Sequence, residues 1–359
     1  MSSDLNQLLN AYPDSGSNVY VIMFYDEEVC TIDIESGAVE LYKESLMPFG
    51  LYVTCSNEVQ DCVNNIANFN SWCSSRLLSS ERRYAKEILK TCGVTQIEGD
   101  RARAFVALKY SCTSLRDAYW VKNIYNSFTW ENVNIRKNPL IRAYIDLFLT
   151  GKEIAVPSIE LIKQDLSTDG VFPKAWAGVF GKLSLLKGGS DEDIEKEVHA
   201  SELLATLGFD VVRYNRELYG STLVSECQCF TSVDVNFVPA DEYVCNFDIK
   251  YAVEHYASKK FYEMLIACYL VGNNDLHGGN WGFLFDSNRA IYDLAPIFDL
   301  NHCFEADPNT LSDPMILLGE NMSQKDAAIM ACRKLNADIN NWLTLTENTY
   351  VRDRLLSLL

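Results

Sequence analysis

Basic residues are scarce in this sequence of 359 residues, which carries 31 Lys and Arg against 49 Asp and Glu and has a formal net charge of −18. A protein surface that binds DNA, RNA or anionic lipid needs clustered Lys and Arg to neutralise phosphates. The composition therefore argues against direct binding of nucleic acid or of a membrane surface. It leaves room for a local basic pocket that takes a single nucleotide.

Signals for zinc, secretion and membrane insertion are also missing. None of the 12 cysteines has the C-x-x-C spacing of a structural zinc site, and the closest pair is Cys227 and Cys229. The opening Met1–Leu5 lacks the basic and apolar segments of a secretory signal. The longest apolar stretch, Phe261–Val271, is too short to span a bilayer and contains Glu263. We expect a cytoplasmic protein with reduced thiols.

The sequence does contain enough apolar material for two or three domains, because 48% of its residues are hydrophobic and 12% are aromatic. Short alternating runs in residues 19–54 predict an antiparallel β-meander, and residues 68–91 predict a helix. Gly and Pro punctuate residues 151–157 and indicate a boundary. We therefore predict an amino-terminal region and two further regions, over residues 1–155, 156–235 and 236–359.

The second half of the sequence changes pattern. Residues 174–180 and 182–187 predict a β-hairpin. Asp191 opens an acidic helix start, and Gly208 indicates where that helix stops. The remaining predictions are strands at residues 210–214 and 222–226, a long helix at residues 251–271, and a hairpin of residues 281–285 and 290–292.

A polar loop directly after the predicted long helix is the most informative segment. It places Asp275, His277 and Asn280 within six residues, and Asp299 follows the predicted hairpin. Phosphoryl transfer from a nucleotide needs one carboxylate to orient the attacking hydroxyl, and an amide oxygen and a second carboxylate to hold Mg²⁺. We assign Asp275 to the first role and Asn280 and Asp299 to the second. His277 would brace the loop or face the transferred phosphate. The alternative is a polar turn whose side chains cap a helix or bond to turn amides.

A lysine at the end of an apolar strand is the candidate ligand of the nucleotide phosphates. Lys187 ends the predicted hairpin and precedes two glycines. In a kinase, such a strand lysine reaches the phosphates and is held by an acidic residue on the next helix. Glu197 is the natural partner, and Glu195 and Glu202 are weaker candidates. The alternative is a lysine that extends from a strand end into solvent.

Two further segments could contact the nucleotide. Ser167 to Lys174 lies where a loop covering the phosphates is expected, and backbone amides around Gly170 together with Lys174 could grip a phosphate. This segment lacks a G-x-G-x-x-G pattern, so an ordinary turn is an equally open interpretation. Glu226 and Gln228 lie where the link between two lobes is expected, and backbone groups there could bond to adenine.

The polar loop and the segment that ends at Asp299 resemble the HipA-like kinases, and more broadly the catalytic loop of phosphatidylinositol kinases. The matching motifs are Asp-x-His-x-x-Asn within residues 274–280 and Leu-Ala-Pro-Ile-Phe-Asp in residues 294–299. Members of the type found in Gram-positive bacteria also carry segments similar to residues 114–120, 130–134, 168–176, 185–189, 197–201 and 229–231. The resemblance covers about residues 110–305.

This resemblance implies an α+β, two-lobed protein-kinase-like fold with an N-terminal α+β accessory region. It also implies ATP- and Mg²⁺-dependent phosphorylation of a protein Ser or Thr. Asp275 would be the base, and Asn280 and Asp299 would be the metal ligands. Lys187 would contact the phosphates. Ser167 lies where HipA-type proteins can carry an autophosphorylated Ser that ejects the nucleotide-covering loop.

Partners and domain roles follow from the same resemblance. Members of the family act as toxins of toxin–antitoxin pairs, and some phosphorylate aminoacyl-tRNA synthetases and so stall translation. A separate helix-turn-helix antitoxin would make any contact with DNA. Residues 156–235 and 236–359 would be the amino lobe and the mostly helical carboxyl lobe. Residues 1–155 would be either a docking module for a substrate or antitoxin, or a brace for the lobes.

Two departures from the family bear on the function. The loop has Leu276, Gly278 and Gly279 where family loops often carry a basic residue, so a cation that stabilises the transition state must come from elsewhere. The segment before Lys174 has few glycines, which weakens the assignment of Ser167. The alternatives are a nucleotide-binding regulator that has lost transfer, and a small-molecule or lipid kinase. The intact carboxylate–amide set favours an active kinase, and the acidic charge disfavours a lipid substrate.

Overall fold

The computed structural model describes residues 17–94, 99–137, 142–154, 164–168, 170–179 and 182–359. The chain divides into two compact units, of which the first is Met1–Lys187 with Thr231–Val233 and the second is Gly188–Phe230 with Asp234–Leu359. The boundaries at residues 155 and 235 remain predictions. Within the described residues, no helix is both long enough and apolar enough to cross a membrane.

The first unit opens with a four-stranded antiparallel sheet in the order β3-β2-β1-β4. Its strands are β1 (Val19–Phe24), β2 (Glu27–Asp33), β3 (Val39–Leu41) and β4 (Tyr119–Asn123). Strands β1 to β3 confirm the predicted meander. The sequence analysis missed β4, which pairs with β1 so that Trp120 lies opposite Met23. Trp120, Met23, Val21 and Val133 form a buried cluster on this sheet. The burial of Trp120 against β1 therefore stabilises β4 as a strand.

The helices of the first unit are α1 (Val59–Ser74), α2 (Ala85–Thr91), α3 (Gly99–Lys109), α4 (Trp130–Val133) and α5 (Arg142–Thr150). The single helix predicted over residues 68–91 is wrong, because residues 75–84 are not helical. Arg76 is buried there and forms a bidentate ion pair with Asp117 at 2.7 and 2.9 Å. Its Nε also donates to the carbonyl oxygen of Cys112. Bonds to distant residues thus replace the bonds of a continuous helix.

A β-hairpin of β5 (Lys174–Val179) and β6 (Lys182–Lys187) closes the first unit. The two strands are antiparallel, and Lys174 lies directly opposite Lys187. The predicted hairpin is therefore confirmed, while its turn at residues 180 and 181 lies outside the described residues.

The second unit contains two groups of strands. Strands β7 (Tyr214–Tyr219) and β8 (Thr222–Gln228) pair as an antiparallel hairpin. Strands β9 (Asn236–Pro239), β10 (Gly282–Phe285) and β11 (Ile291–Leu294) form an antiparallel sheet in the order β11-β10-β9. The strand predicted at residues 210–214 is wrong, because β7 begins at Tyr214 and Val211 forms an isolated bridge with Ile297.

Helices make up most of the remainder of this unit. They are α6 (Asp191–Thr206), α7 (Ala240–Tyr243), α8 (Ile249–Ala252), α9 (Ser258–Val271), α10 (Asp313–Leu317), α11 (Gln324–Leu335), α12 (Ile339–Leu345) and α13 (Thr349–Leu356). Ser190 and Asp193 form a capping box at the start of α6. Gly208, with a φ of 89°, follows its end. The predicted helix is confirmed at both ends.

A long helical run leads into the polar loop. Helices α8 and α9 are joined by a π-helical turn (Val253–Ala257) and confirm the helix predicted at residues 251–271. Helix α9 ends at Gly272, whose φ of 59° suits glycine. A Cβ on Gly272 would lie 2.0 Å from the hydroxyl oxygen of Tyr350. Packing therefore fixes the residue at which the polar loop begins.

Candidate active site

The polar loop, Asn273–Asn280, is closed by hydrogen bonds among its own residues. The Nδ2 of Asn280 donates to the carbonyl oxygen of Asp275 at 2.7 Å. The backbone N–H of Asn280 donates to the carbonyl oxygen of His277 at 2.9 Å. The backbone N–H of Asp275 donates to Oδ1 of Asn273 at 3.0 Å. These bonds engage the backbone of Asp275, whose side chain is partly exposed.

The same bonds determine which side-chain atoms the loop can offer to a ligand. Because Nδ2 of Asn280 donates within the loop, its Oδ1 is the atom that could approach a cation. Nδ1 of His277 accepts a hydrogen bond from the N–H of Gly279 at 3.0 Å. A neutral imidazole with Nδ1 as acceptor carries its proton on Nε2. The loop thus offers a carboxylate, an amide oxygen and an imidazole N–H.

The two glycines of the loop lie against Asp241 at the start of α7. The N–H of Asp241 donates to the carbonyl oxygen of Gly278 at 3.2 Å. A Cβ on Gly278 would lie 2.8 Å from the Asp241 Cβ, and one on Gly279 would lie 2.9 Å from Cε1 of His277. The absence of a basic side chain here therefore has a steric cause. Sequence reasoning missed Asp241, because no short motif joins it to the loop.

A hairpin returns the chain from the polar loop to Asp299. Strands β10 and β11 pair with Phe283 opposite Leu294. The N–H of Ala295 donates to the carbonyl oxygen of Gly282 at 2.9 Å. Asn280 precedes the hairpin and Asp299 follows it in the chain. The hairpin predicted from the sequence is confirmed, and the assignment of Asp299 as a metal ligand stays a prediction.

Asp299 has an unusual backbone conformation. Its φ of 57° lies in the left-handed region, which Asp tolerates better than most residues. Its N–H donates to the hydroxyl oxygen of Tyr214 at 3.1 Å. The ring of the preceding Phe298 packs at 5.3 Å from Phe230 and 5.7 Å from Phe237, measured between centroids. Residues with a strained backbone that their surroundings hold in place are common at functional sites. The conformation of Asp299 therefore makes it a functional candidate independently of the sequence motif.

Glu197 and Asp299 both lie near the hydroxyl group of Tyr214. Burial raises the pKa of Tyr214, and the nearby Cys227, Glu197 and Asp299 raise that pKa further. Glu197 is only 1% exposed and its Oε2 accepts a hydrogen bond from Oγ of Ser225 at 2.5 Å. The fold therefore brings this predicted acidic residue of α6 towards the predicted metal ligand. Tyr214 was missed because a tyrosine at a strand start carries no functional signal.

The chain after Asp299 is also tied to the polar loop. Oε2 of Glu305 accepts a hydrogen bond from Nδ2 of Asn274 at 3.2 Å, and the N–H of Phe304 donates to the carbonyl oxygen of Val271 at 2.6 Å. Lys196 of α6 forms an ion pair with Oε1 of Glu305 at 2.8 Å. Hydrogen bonds to Glu305 and to a second carboxylate raise the pKa of Lys196, so the pair is charged at neutral pH. This connection joins α6 to the loop.

In the first unit, Lys174 and Lys187 are cross-strand partners. Both side chains are largely buried and lie on the same face of the β5–β6 hairpin. The Nζ of Lys187 lies 5.7 Å from the centroid of the Phe172 ring. A Cβ on Gly170, whose φ is 96°, would lie 2.7 Å from Nζ of Lys174. The backbone at Gly170 thus passes closely over one ammonium group.

Ser167 lies in the segment of residues 164–174, which we call the Ser167 segment and of which residue 169 is not described. Oγ of Ser167 lies 2.6 Å from Oδ1 of Asp165 and 2.6 Å from Oγ of Ser114. The other oxygen of Asp165, Oδ2, accepts a hydrogen bond from the N–H of Leu115 at 3.0 Å. Asp165 and Ser114 are buried and Ser167 is partly buried. Ser114 and Asp165 were not among the predicted residues.

The predicted residues fall into two sets, one in each unit. The first unit holds Ser167, Gly170, Lys174 and Lys187, and the second holds Glu197, Glu226, Gln228, Asp275, His277, Asn280 and Asp299. Glu226 is partly exposed and Gln228 is exposed on β8. The pairing of Lys187 with Glu197 joins residues of different units and stays a prediction.

The donor set suits Mg²⁺ better than a transition metal. In the part of the chain that the structure describes, no group of three or more His, Cys, Asp and Glu could hold a metal ion. Asn280 and Asp299 would supply an amide oxygen and a carboxylate. Magnesium is commonly held by one or two protein oxygens, with water and substrate phosphates completing its shell. The residues present therefore fit a magnesium ion that arrives with a nucleotide.

The chain is similar in sequence to one curated kinase over part of its length. No protein-family model matches it. Over 127 residues it is 32% identical to the serine/threonine-protein kinase CtkA of Helicobacter pylori strain J99. The match covers 30% of this chain and 39% of CtkA, so the chain spans less than half the length of that relative.

Two solved structures are also similar. The crystal structure of the proinflammatory kinase CtkA of Helicobacter pylori has a TM-score of 0.38 and 20% identity, and covers 52% of this chain and 89% of its own. HipA of Shewanella oneidensis MR-1, solved with HipB and its operator DNA, has a TM-score of 0.51 and 12% identity. That match covers 94% of this chain and 95% of HipA, and shows a shared fold. The chain thus has the α+β, kinase-like fold of HipA-like proteins, and its resemblance to the HipA-like serine/threonine kinases is confirmed.

Proposed function

We propose that this protein is an ATP- and Mg²⁺-dependent protein serine/threonine kinase of HipA-like type. The observation that carries the proposal is the closed polar loop, in which Asn280 bonds to the backbone of Asp275 at 2.7 Å and leaves the carboxylate accessible. Asp299, which follows the next hairpin in the chain, would be the second metal ligand. Asn273 and His277 accept hydrogen bonds from the backbone amides of the loop, whereas the Asp275 carboxylate is partly exposed, as a base that meets a substrate must be.

Asp275 would act as the base. Its carboxylate orients the hydroxyl group of a Ser or Thr and accepts the proton as the hydroxyl oxygen attacks the γ-phosphorus, and ADP leaves. A bound Mg²⁺ would supply positive charge that stabilises the phosphate groups during transfer. Oδ1 of Asn280 and the carboxylate of Asp299 would hold that ion. The φ of 57° at Asp299 and the bond from its backbone N–H to Tyr214 would fix the backbone position from which the carboxylate extends.

His277 could supply the donor that the loop otherwise lacks. Its Nδ1 is occupied by the N–H of Gly279, so Nε2–H is the free donor of a ring that is exposed. An N–H directed at a phosphoryl oxygen stabilises the charge that develops there. Gly278 and Gly279 leave no room for a basic side chain beside Asp241. We therefore assign His277 to the transferred phosphate rather than to bracing alone.

The nucleotide phosphates would bind the first unit through Lys174 and Lys187. The two ammonium groups extend from opposite strands at one end of the hairpin, and the backbone at Gly170 passes over one of them. Both ammonium groups would bond to phosphate oxygens of the nucleotide. Backbone groups near Glu226 and Gln228 would contact adenine, and Glu197 would hold Lys187.

Ser167 is the proposed site of autophosphorylation. Its Oγ lies 2.6 Å from the buried carboxylate of Asp165. A phosphate on Ser167 would add about two negative charges beside that carboxylate. The repulsion would break the contacts of the Ser167 segment with Ser114 and release it.

The proposed partners are a protein substrate and an antitoxin. The similar HipA structure contains HipB and operator DNA, and we propose a corresponding helix-turn-helix antitoxin for this chain. The net charge of −18 makes direct contact with an operator unfavourable. Expression with and without the candidate antitoxin, followed by growth measurements, tests this role. Unimpaired growth in its absence would argue against a toxin.

The direct test of transfer uses purified protein with Mg²⁺ and γ-labelled ATP, alone and with a bacterial lysate. We expect label on a lysate protein or on Ser167, and its absence from an Asp275→Asn variant. Mass spectrometry then identifies the acceptor. Binding of ATP without label in either reaction would favour a nucleotide-sensing regulator. Label on lipid or on a small metabolite would identify a different class of kinase.

A further inference from the structure

Residues 78–83, between α1 and α2, run beside the Ser167 segment. The N–H of Leu78 donates to the carbonyl oxygen of Leu166 at 2.6 Å, and the N–H of Arg83 donates to the carbonyl oxygen of Val171 at 2.9 Å. Both segments advance in the same direction between these two bonds. The amino-terminal region therefore contacts the Ser167 segment along its length.

Arg82 occupies the centre of this contact. It is 3% exposed, and its Nη1 donates to the carbonyl oxygen of Thr168 at 2.8 Å. Its Nη2 donates to the carbonyl oxygen of Lys174. The guanidinium carbon lies 5.8 Å from the centroid of the Phe148 ring on α5. One rigid, planar group thus bonds to the main chain on both sides of Gly170.

These two bonds fix the place from which the Lys174 side chain extends. Nζ of Lys174 lies under Gly170, where a Cβ would approach it to 2.7 Å. Arg82 thus holds the backbone of Lys174 itself and that of Thr168, on the other side of Gly170. Without these bonds, Lys174 and its ammonium group would be free to move away from Gly170.

We propose that Arg82 is a positioning residue for nucleotide binding, which clamps the carbonyl groups of Thr168 and Lys174 on either side of Gly170 and so presents the Lys174 ammonium to a phosphate. The identity of the ligand rests on the proposed function, whereas the clamp itself rests on the contacts of Arg82. Arg82 of the amino-terminal region would then support the nucleotide site as a brace, which is one of the two roles that the sequence leaves open for that region.

Two substitutions of Arg82 test the proposal, with Arg83→Gln as the matched control. Arg83 is exposed, and the bond it makes to Val171 uses its backbone, so the control removes one positive charge without removing a clamp. We expect Arg82→Gln to raise the KM for ATP by about tenfold, because two buried hydrogen bonds from a charged group are lost. The kcat should change by less than about twofold, since no group in contact with the acceptor is altered. The KM of Arg82→Lys should lie between those of the wild type and Arg82→Gln, because one ammonium group cannot span two carbonyl groups.

Limited proteolysis supplies a readout that does not need transfer. Cleavage within residues 164–174 should become several-fold faster in Arg82→Gln and unchanged in Arg83→Gln. A KM and a cleavage rate that match the Arg83→Gln control would overturn the clamp. Equal losses of kcat and of kcat/KM would also overturn it, since they would indicate general damage. If Arg82→Gln fails to fold, Arg82→Lys carries the same comparison.

Failure of the proposed function looks different. Wild-type protein that binds no Mg-ATP would contradict the kinase assignment. The cleavage rates of the Arg82 and Arg83 variants would still decide whether the clamp exists. Slow cleavage of the wild type and fast cleavage of Arg82→Gln would support the clamp in either case.

Discussion

The polar loop and the Ser167 segment are both short polar stretches next to a hairpin, and they are held in opposite ways. In the polar loop, the side chains of Asn273 and Asn280 bond to the backbone of Asp275, which is two and five positions away. In the Ser167 segment, Arg82 bonds to carbonyl groups 86 and 92 positions along the chain. The backbone around Asp275 is thus held by residues of its own loop, whereas Thr168 and Lys174 are held by a residue of a distant region.

This difference separates the chemistry of the proposed reaction from its control. The bonds within the polar loop would keep the base and a metal ligand in register while other parts of the molecule move. The Ser167 segment can be loosened by changes that remove its bonds to Arg82, Ser114 or Leu115, or by charge on Ser167 itself. Segments held by few, distant contacts are the ones that open at low cost. We infer that the Ser167 segment is where activity would be regulated.

Asp275→Asn gives the largest expected effect and tests the chemical half of the comparison. The variant keeps both backbone bonds of residue 275, so the loop should stay closed. Transfer should fall by about a thousandfold, because general-base catalysis is lost. Rates of label transfer measure this, and calorimetric titration with Mg-ATP checks that binding is kept. A clear drop in Tm would show that the carboxylate supports the loop, and retained transfer would exclude Asp275 as the base.

Gly278→Ala has the next largest expected effect and probes the contact of the polar loop with the distant Asp241. The added Cβ would lie 2.8 Å from Cβ of Asp241, and we expect a loss of about 1–3 kcal/mol in the free energy of unfolding. Gly279→Ala is the control, because its Cβ would meet the His277 ring, which can rotate. Urea unfolding measures both variants. Adding Asp241→Gly should recover part of the loss at residue 278 and none at residue 279.

Ser167→Asp addresses the other half of the comparison. A second carboxylate beside Asp165 should repel it and weaken the bond that Asp165 accepts from Leu115. Two carboxylates at this distance in a partly buried site repel strongly. Because the repulsion would loosen the Ser167 segment, which carries Lys174, we expect the affinity for ATP to fall by about tenfold. Ser167→Asn is the neutral control of similar shape and should bind nearly as the wild type. Equal affinities in the two variants, measured by titration, would remove the electrostatic explanation.

Elements with local signals were predictable from the sequence. The alternation in β1 to β3, the acidic start of α6 and the glycine at residue 208 all act through neighbouring residues. The Asp-x-His-x-x-Asn spacing belongs to the same class, because the bonds that close the loop lie within it. Propensity and capping rules read such features directly. The predictions of α6, of the helical run at residues 251–271, of the two hairpins and of the meander were confirmed for this reason.

Features set by distant contacts were not predictable. The predicted helix over residues 68–91 is interrupted because Arg76 pairs with Asp117, 41 positions away. Strand β4 exists because it buries Trp120 against β1. Asp241 and Arg82 acquire their positions only when separate segments meet. No window of a dozen residues contains that information, so tertiary contacts override local preference.

Glu305→Gln has the smallest expected effect and asks how self-contained the polar loop is. Glu305 bonds to Asn274 of the loop and pairs with Lys196 of α6. The hydrogen bond from Lys196 lowers the pKa of Glu305, although burial opposes it. A carboxyl group whose pKa is lowered by folding stabilises the protein above its unfolded pKa, and this stabilisation is lost as the pH falls through the folded value.

The wild type should therefore be more stable than Glu305→Gln by about 0.2–1 kcal/mol at pH 7, because the pair is partly exposed and screened. That difference should disappear as the pH falls from about 5 to about 3. Urea unfolding across this range measures it. Glu192→Gln is the control, since Glu192 also pairs with Lys196 and its side chain is 76% exposed. A loss of well over 1 kcal/mol in the free energy of unfolding, or a fall in transfer rate, would mean that the polar loop depends on α6. The polar loop and the Ser167 segment would then differ only in how strongly each depends on distant residues.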